Sequence, residues 1–162
     1  MVLYVISGAP STGKTTLLEE LKKRGYNILP EAARTVGEAH KELRGKEFQE
    51  AILKFQKEQL AKSEKGIFFV DRGFGDTLSY YLLQNLPIPK KEMDYVMKTK
   101  YSGVFILDFL DFYEQEGRVI TKEKQKEIQS KLIETYKKLN YNPILIPFAT
   151  ITERADIILS KI

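Results

Sequence analysis

Residues Gly8-Ala9-Pro10-Ser11-Thr12-Gly13-Lys14-Thr15 satisfy the pattern G-x-x-x-x-G-K-[ST] at every constrained position. Residues of these types at this spacing bind the phosphates of a nucleoside triphosphate. The two glycines let the backbone curl so that successive N–H groups face anionic oxygens, and a helix starting at Lys14 adds the positive end of its dipole. Lys14 then reaches the β- and γ-phosphates, and the Thr15 hydroxyl is placed for Mg²⁺. With Thr16, these residues form the expected nucleotide-binding segment, for ATP or, as the alternative, GTP.

Further chemistry is expected where apolar runs end in charge. Ile67-Phe68-Phe69-Val70-Asp71 and Val104-Phe105-Ile106-Leu107-Asp108 both finish on a carboxylate able to orient Mg²⁺ or its waters. Asp71 is favoured because Arg72 and Asp76 follow it closely. Arg72 beside the phosphates would neutralise transition-state charge or hold an acceptor anion. Leu29-Pro30-Glu31-Ala32-Ala33-Arg34 places Glu31 and Arg34 on one helical face. Glu31 is a candidate base or substrate hydrogen-bonder, and Arg34 a substrate contact. The alternative gives Glu31 to the helix dipole and pairs Arg34 with Glu38. Asp76 is either a substrate ligand or a helix cap. Phe48, Ile52 and Phe55 form an apolar stripe that Gln59 continues, and Gln56, one residue round from it, is a candidate substrate contact. The polar connector around Phe112–Val119 has the length of a lid, about 108–120, in which Arg118 beside Gly117 would add positive charge on closure.

These residues need a scaffold that gathers strand ends. Strand-like runs fall at 2–7, 26–29, 67–70, 104–107 and 144–146, alternating with helical stretches at about 14–24, 31–43, 46–65, 75–84, 90–100, 121–139 and 151–161. Such alternation predicts an α/β domain with a five-stranded parallel sheet, its ligands beyond the C-terminal strand ends. Thr150-Ile151-Thr152-Glu153 reads as a capping box that accounts for Glu153 without a catalytic role.

Composition narrows the chemistry. With no cysteine and a single His40, thiolate zinc sites, thiol nucleophiles and histidine triads are excluded, so acid-base work falls to carboxylates. The 162 residues suit one domain, 1–162, and the absence of a long apolar run or signal-peptide layout predicts a cytoplasmic protein without membrane insertion. A net charge of +4 favours anionic partners, which a nucleotide satisfies. The lysine-rich stretch from Lys122 to Lys138 is interleaved with glutamates, so pairs such as Glu127/Lys131 and Glu134/Lys138 predict a solvated helix face rather than a patch for nucleic acid or membrane.

With these segments placed, the chain resembles the small P-loop kinases, and more closely the AAA-labelled ATPase/kinase-like domain family related to the nicotinamide riboside kinase domain. The resemblance rests on Ile6–Thr16, Glu31–Arg34, Asp71-Arg72-Gly73 with Asp76 and Tyr80-Tyr81, Gly117-Arg118-Val119 and Glu153-Arg154-Ala155-Asp156. It implies the three-layer P-loop NTPase sandwich with strand order 2-3-1-4-5, an acceptor pocket near Glu31, Arg34 and Arg72, and a lid carrying Arg118. It also implies Glu31 as the acceptor-activating base, Asp71 and Arg72 at Mg²⁺-bound waters and phosphates, and residues 149–152 beside adenine. Asp-Arg-Gly after the third strand departs from the riboside kinase domain and leaves the acceptor open.

The leading expectation is therefore a Mg-dependent kinase that moves the γ-phosphoryl group of ATP to a small nucleoside-like or vitamin-like acceptor. The alternatives are an NTP-hydrolysing switch with a protein, RNA or phosphoinositide partner, and an RNA-end kinase. A conventional GTPase is disfavoured: there is no Asn-Lys-x-Asp motif, and Phe74 stands where the switch pattern wants glycine. A full AAA+ machine is disfavoured because Arg72 and Phe109, not glutamate, follow the two aspartates.

Overall fold

The computed structural model describes residues 1–109 and 121–162. Five strands, β1 (Val2–Ser7), β2 (Asn27–Leu29), β3 (Ile67–Asp71), β4 (Gly103–Leu107) and β5 (Ile144–Ile146), form one parallel sheet in the order β2-β3-β1-β4-β5. Around it pack α1 (Lys14–Lys23), α2 (Ala32–Ala39), α3 (Gly45–Ala61), α4 (Phe74–Leu83), α5 (Lys90–Lys98), α6 (Lys122–Lys138) and α7 (Ile151–Leu159). The expected architecture and strand order are those observed, with helix ends a few residues shorter. Arg118 and most of the expected lid lie outside the described residues.

The strands are mostly apolar because both sheet faces are covered, with Asn27 at the start of β2 and Ser7 and Asp71 at the ends of β1 and β3. Leu3, Val5, Val70, Val104 and Ile106 pack with Phe74, Leu78, Leu132 and Tyr136 from α4 and α6. Ile6, Phe69, Phe105, Leu107 and Ile146 pack with Leu17, Leu18 and Leu21 of α1 and with Ala155 and Ile158 of α7. Each large apolar side chain buried this way contributes about 1.5–3 kcal/mol, which fixes the sheet register and so the heights at which the strand ends stop. Ile6 lies opposite Asp71, and Leu29 opposite Val70, so Ser7, Asp71 and the residues after Leu29 emerge along one edge.

The last two helices begin on side-chain caps. Thr121 accepts from the Lys124 N–H, and Thr150 and Glu153 form the expected capping box. On α6, Glu134 pairs with both Lys131 and Lys138, while Glu127 pairs with Lys124 instead of the expected Lys131. The side-chain rotamer selects between neighbours three and four residues away, and spacing alone cannot. No helix among the described residues is long and apolar enough to cross a membrane.

α6 approaches α4 closely because Gly75 offers no side chain. A Cβ there would lie 2.5 Å from the Tyr136 ring. Gly75→Ala should therefore displace Tyr136 and cost about 1–3 kcal/mol, the usual range for overpacking, read as a lower denaturant midpoint. An unchanged midpoint would mean that α6 can shift without loss.

Candidate functional site

The phosphate-binding loop connects β1 to α1 and takes its shape from backbone conformations that glycine favours. Gly8 has φ 144 and Gly13 φ 83, with Ser11 between them at φ 63. At Gly8 a Cβ would also come within 3.0 Å of the Leu107 carbonyl.

The loop's own lysine and donors from elsewhere in the chain hold its carbonyls. Lys14 Nζ donates to Gly8 O at 3.0 Å and Ala9 O at 2.7 Å. Arg72 also donates to Gly8 O, at 3.2 Å. Gln125 of α6 donates to Pro10 O at 3.0 Å, and Arg154 of α7 to Thr12 O at 2.7 Å. Carbonyls bound on the protein side leave the loop N–H groups free to face an anion.

One cleft of about 510 Å³ runs from this loop to the ends of β2 and β3. Pro10 through Thr16 line one end, and Glu31, Arg34, Gln56, Arg72 and Asp76 line the remainder with Phe48, Ile52, Thr77 and Tyr80. Gly8 and Ala9 form the inner turn of the loop, and Ala9 is buried.

Glu31 precedes α2 as its N-cap rather than lying within it, and its Oε2 is 4.0 Å from Arg34. Its Oε1 accepts from Arg72 Nε at 2.9 Å. This pair forms because β2 and β3 are neighbours. Arg72 itself has φ 65, a left-handed conformation that a side chain disfavours. Two bonds hold it there: its N–H donates to Ile6 O at 3.1 Å, and Gln56 Nε2 donates to its carbonyl at 3.1 Å. Gln56 Oε1 accepts from Thr77 Oγ1 at 3.0 Å, so both ends of the amide are engaged within the protein. Gln56, expected from the sequence as a substrate contact, lines the cleft and also holds its wall.

Asp76 has a similar supporting place. Ser7 Oγ donates to its Oδ1 at 2.7 Å, while Tyr136 OH and the Gly73 N–H donate to its Oδ2 at 2.6 and 3.1 Å. Arg72 lies 3.5 Å away. The capping alternative matches this geometry. Burial pushes the Asp76 carboxyl above its ordinary pKa, against the pull of Arg72 and the hydroxyl donors.

The two strand-end aspartates differ. Asp108 is occupied, accepting from the Phe109 N–H at 2.8 Å and Gln129 Nε2 at 3.3 Å. Asp71 Oδ1 is buried with no partner among the described residues, and burial pushes its carboxyl up to about 6. Lys14 moves the other way: burial, then the neighbouring Arg72 charge, draws its ammonium down to about 7.

Sequence reading missed Ser7, Tyr136 and Gln49. Gln49 lines the cleft with its Oε1 buried and without a partner among the described residues. Its place seven residues before Gln56, two turns along α3, was the available signal.

Comparison with curated proteins gives no match. Among solved structures the chain superposes on the NadR protein in complex with NR, with a TM-score of 0.74 and 19% identity over 99% of this chain and 51% of that one. It thus spans about half the length of NadR. Deoxyadenosine kinase from M. mycoides, with products dCMP and a flexible dCDP bound, gives 0.65 and 18% over 99% and 98% of the two chains. Thymidylate kinase from Ehrlichia chaffeensis gives 0.67 and 15% over 99% and 97%. The fold is accordingly that of P-loop nucleoside and nucleotide kinases. The profile of the AAA domain family matches residues 3–154, nearly the whole sequence, and the chain belongs to that family.

Proposed function

We propose that the protein is a phosphotransferase that moves the γ-phosphoryl group of ATP to a hydroxyl of a small nucleoside-like acceptor. The observation that carries this reading is the single cleft, which joins the phosphate loop to a second compartment containing Glu31 and Arg72 and walled by Phe48, Ile52 and Tyr80. A nucleotide switch needs the loop but has no use for that compartment.

The triphosphate would lie over the loop N–H groups and the start of α1, with Lys14 at the β- and γ-phosphates. Mg²⁺ fits a sparse oxygen donor set, because it keeps most of its waters and needs only one or two protein ligands beside phosphate. The Thr15 hydroxyl and the unpartnered Asp71 carboxylate would hold it, and when bound it neutralises charge across the β- and γ-oxygens. Glu31 takes the proton as the acceptor oxygen bonds to the γ-phosphorus and the bond to the β-bridging oxygen breaks, releasing ADP. Arg72, held by Glu31, Gln56 and Asp76, offers its guanidinium to the moving phosphoryl group. Most of the rate comes from positioning and preset charge, as expected for this class of reaction.

Two outcomes test this reading, and a third tests the state of Lys14. Lys14→Ala should lower transfer to an acceptor, found by screening nucleosides and ring-bearing vitamins with ATP, by about 10²-fold or more. If every acceptor is refused while ATP is simply hydrolysed, the reading is wrong and the switch stands. Glu31→Gln should lower kcat by about 10²-fold or more while KM for ATP stays within a few-fold, the signature of a lost base.

The third test uses the shift of Lys14 alone. Between pH 7 and its ordinary value of 10.5 the unfolded chain keeps a proton that the folded chain has released, so this group adds stability as pH rises. Its contribution is the difference in denaturant midpoint between the parent protein and Lys14→Met, and that difference should move in favour of the parent between pH 7 and 9. A pH-independent difference would show that the buried ammonium is not destabilised.

A further inference from the structure

Phosphoryl transfer as described gives Arg154 no contact with the reacting groups, although it is the largest fully buried side chain among the described residues. Its three nitrogens each reach a different loop. Nε donates to Pro147 O at 3.0 Å, Nη1 to Thr12 O at 2.7 Å and Nη2 to Asp108 O at 3.0 Å. The planar fork thus spans the C-terminal ends of three adjacent strands, β5, β1 and β4.

All three partners are neutral carbonyls. Among the described residues no acidic side chain forms an ion pair with Arg154. A buried cation held by three carbonyl dipoles and the face of the Phe148 ring, 5.9 Å away, is costly, and an apolar side chain could fill the same volume without that cost. Filling the layer between α7 and the sheet therefore does not call for arginine at this position.

The bond to Thr12 has a geometric consequence. In a trans peptide the carbonyl and the following N–H point in opposite directions. Holding the Thr12 carbonyl on the protein side turns the Gly13 N–H to the other side, and Gly13 lines the cleft. The same bond places a positive charge behind the loop, one on which the Asp108 carboxylate acts without forming an ion pair.

We propose that Arg154 is a positioning residue of the phosphate loop, aiming the Gly13 N–H at a bound polyphosphate and lending it the field of a guanidinium that has no ion-pair partner among the described residues. This rests on the reading of the loop as a triphosphate site, and the test keeps the two apart.

The proteins to compare are the parent chain, Arg154→Lys, which keeps the charge but loses the three-way fork, and Arg154→Met, which loses both. Calorimetry at 25 °C would measure binding of ATP, inorganic tripolyphosphate and adenosine. Arg154→Lys should weaken ATP and tripolyphosphate by the same factor, about tenfold, and Arg154→Met by more, with adenosine unchanged. A merely structural arginine would lower the melting temperature and leave the tripolyphosphate affinity of the folded variant within twofold of the parent, and that result overturns the proposal. If neither variant folds, the parent protein decides by nuclear magnetic resonance. The Arg154 Nε–H signal should shift, and its exchange with water slow, on adding tripolyphosphate; a signal that does not respond overturns the proposal. Failure of the parent to bind either ATP or tripolyphosphate would remove the triphosphate reading itself, and this inference with it.

Discussion

A carboxylate taken out of water must be surrounded by donors, and Asp76 draws its donors from three parts of the chain. Ser7 comes from the end of β1, Tyr136 from α6, and the Gly73 N–H from the turn that opens α4. Burial and the adjacent anion push the Tyr136 phenol well above its usual pKa, so it stays protonated and serves as a donor. Arg72 completes the shell. Removing one of these groups would leave charge or a lone pair unsatisfied in the interior, so the positions of β1, α4 and α6 become mutually dependent. The glycines at 73 and 75 belong to the same arrangement, because only a surface without side chains lets Tyr136 come close enough to donate.

From that centre the site is built outward. Arg72 is held in a backbone conformation that it would not choose alone, and its guanidinium can face Glu31 and the Gly8 carbonyl because the strand turns there. Strain of this kind persists only where neighbours over-determine it, which here they do through Ile6, Gln56, Glu31 and Asp76. Lys14 and Asp71 lie in the same neighbourhood, and burial shifts their pKa values in opposite directions, each toward its neutral form.

Much of this could be read from residue order. The strands announced themselves as unbroken apolar runs, since parallel strands covered on both faces have no polar side to show. The phosphate loop was legible because its chemistry is local. Glu31 and Arg72 were legible as types of residue after strands, but their pairing was not, because it crosses 41 positions and depends on β2 lying beside β3. The strand order itself came from family resemblance and not from any run of residues. Asp76 looked as much like a ligand as a cap, since its partners Ser7 and Tyr136 are 69 and 60 positions away. Gln59, which seemed to continue an apolar stripe, instead donates to the Pro30 carbonyl. Arg154 lies inside a helix start rich in polar residues, where nothing local signals that its side chain turns inward.

The loop that opens the sequence is tied to its last helix. The Arg154–Thr12 bond joins residues 142 positions apart, and Arg24 at the end of α1 reaches Asp156 at 2.5 Å. Contacts of such separation form late, because chain closure is entropically unfavourable until the intervening elements are in place. Synthesis runs in the same direction, with the loop made first and α7 last. In a growing chain the Thr12 carbonyl and Arg24 therefore lack these partners until α7 has emerged, so the loop and α1 settle only together with α7.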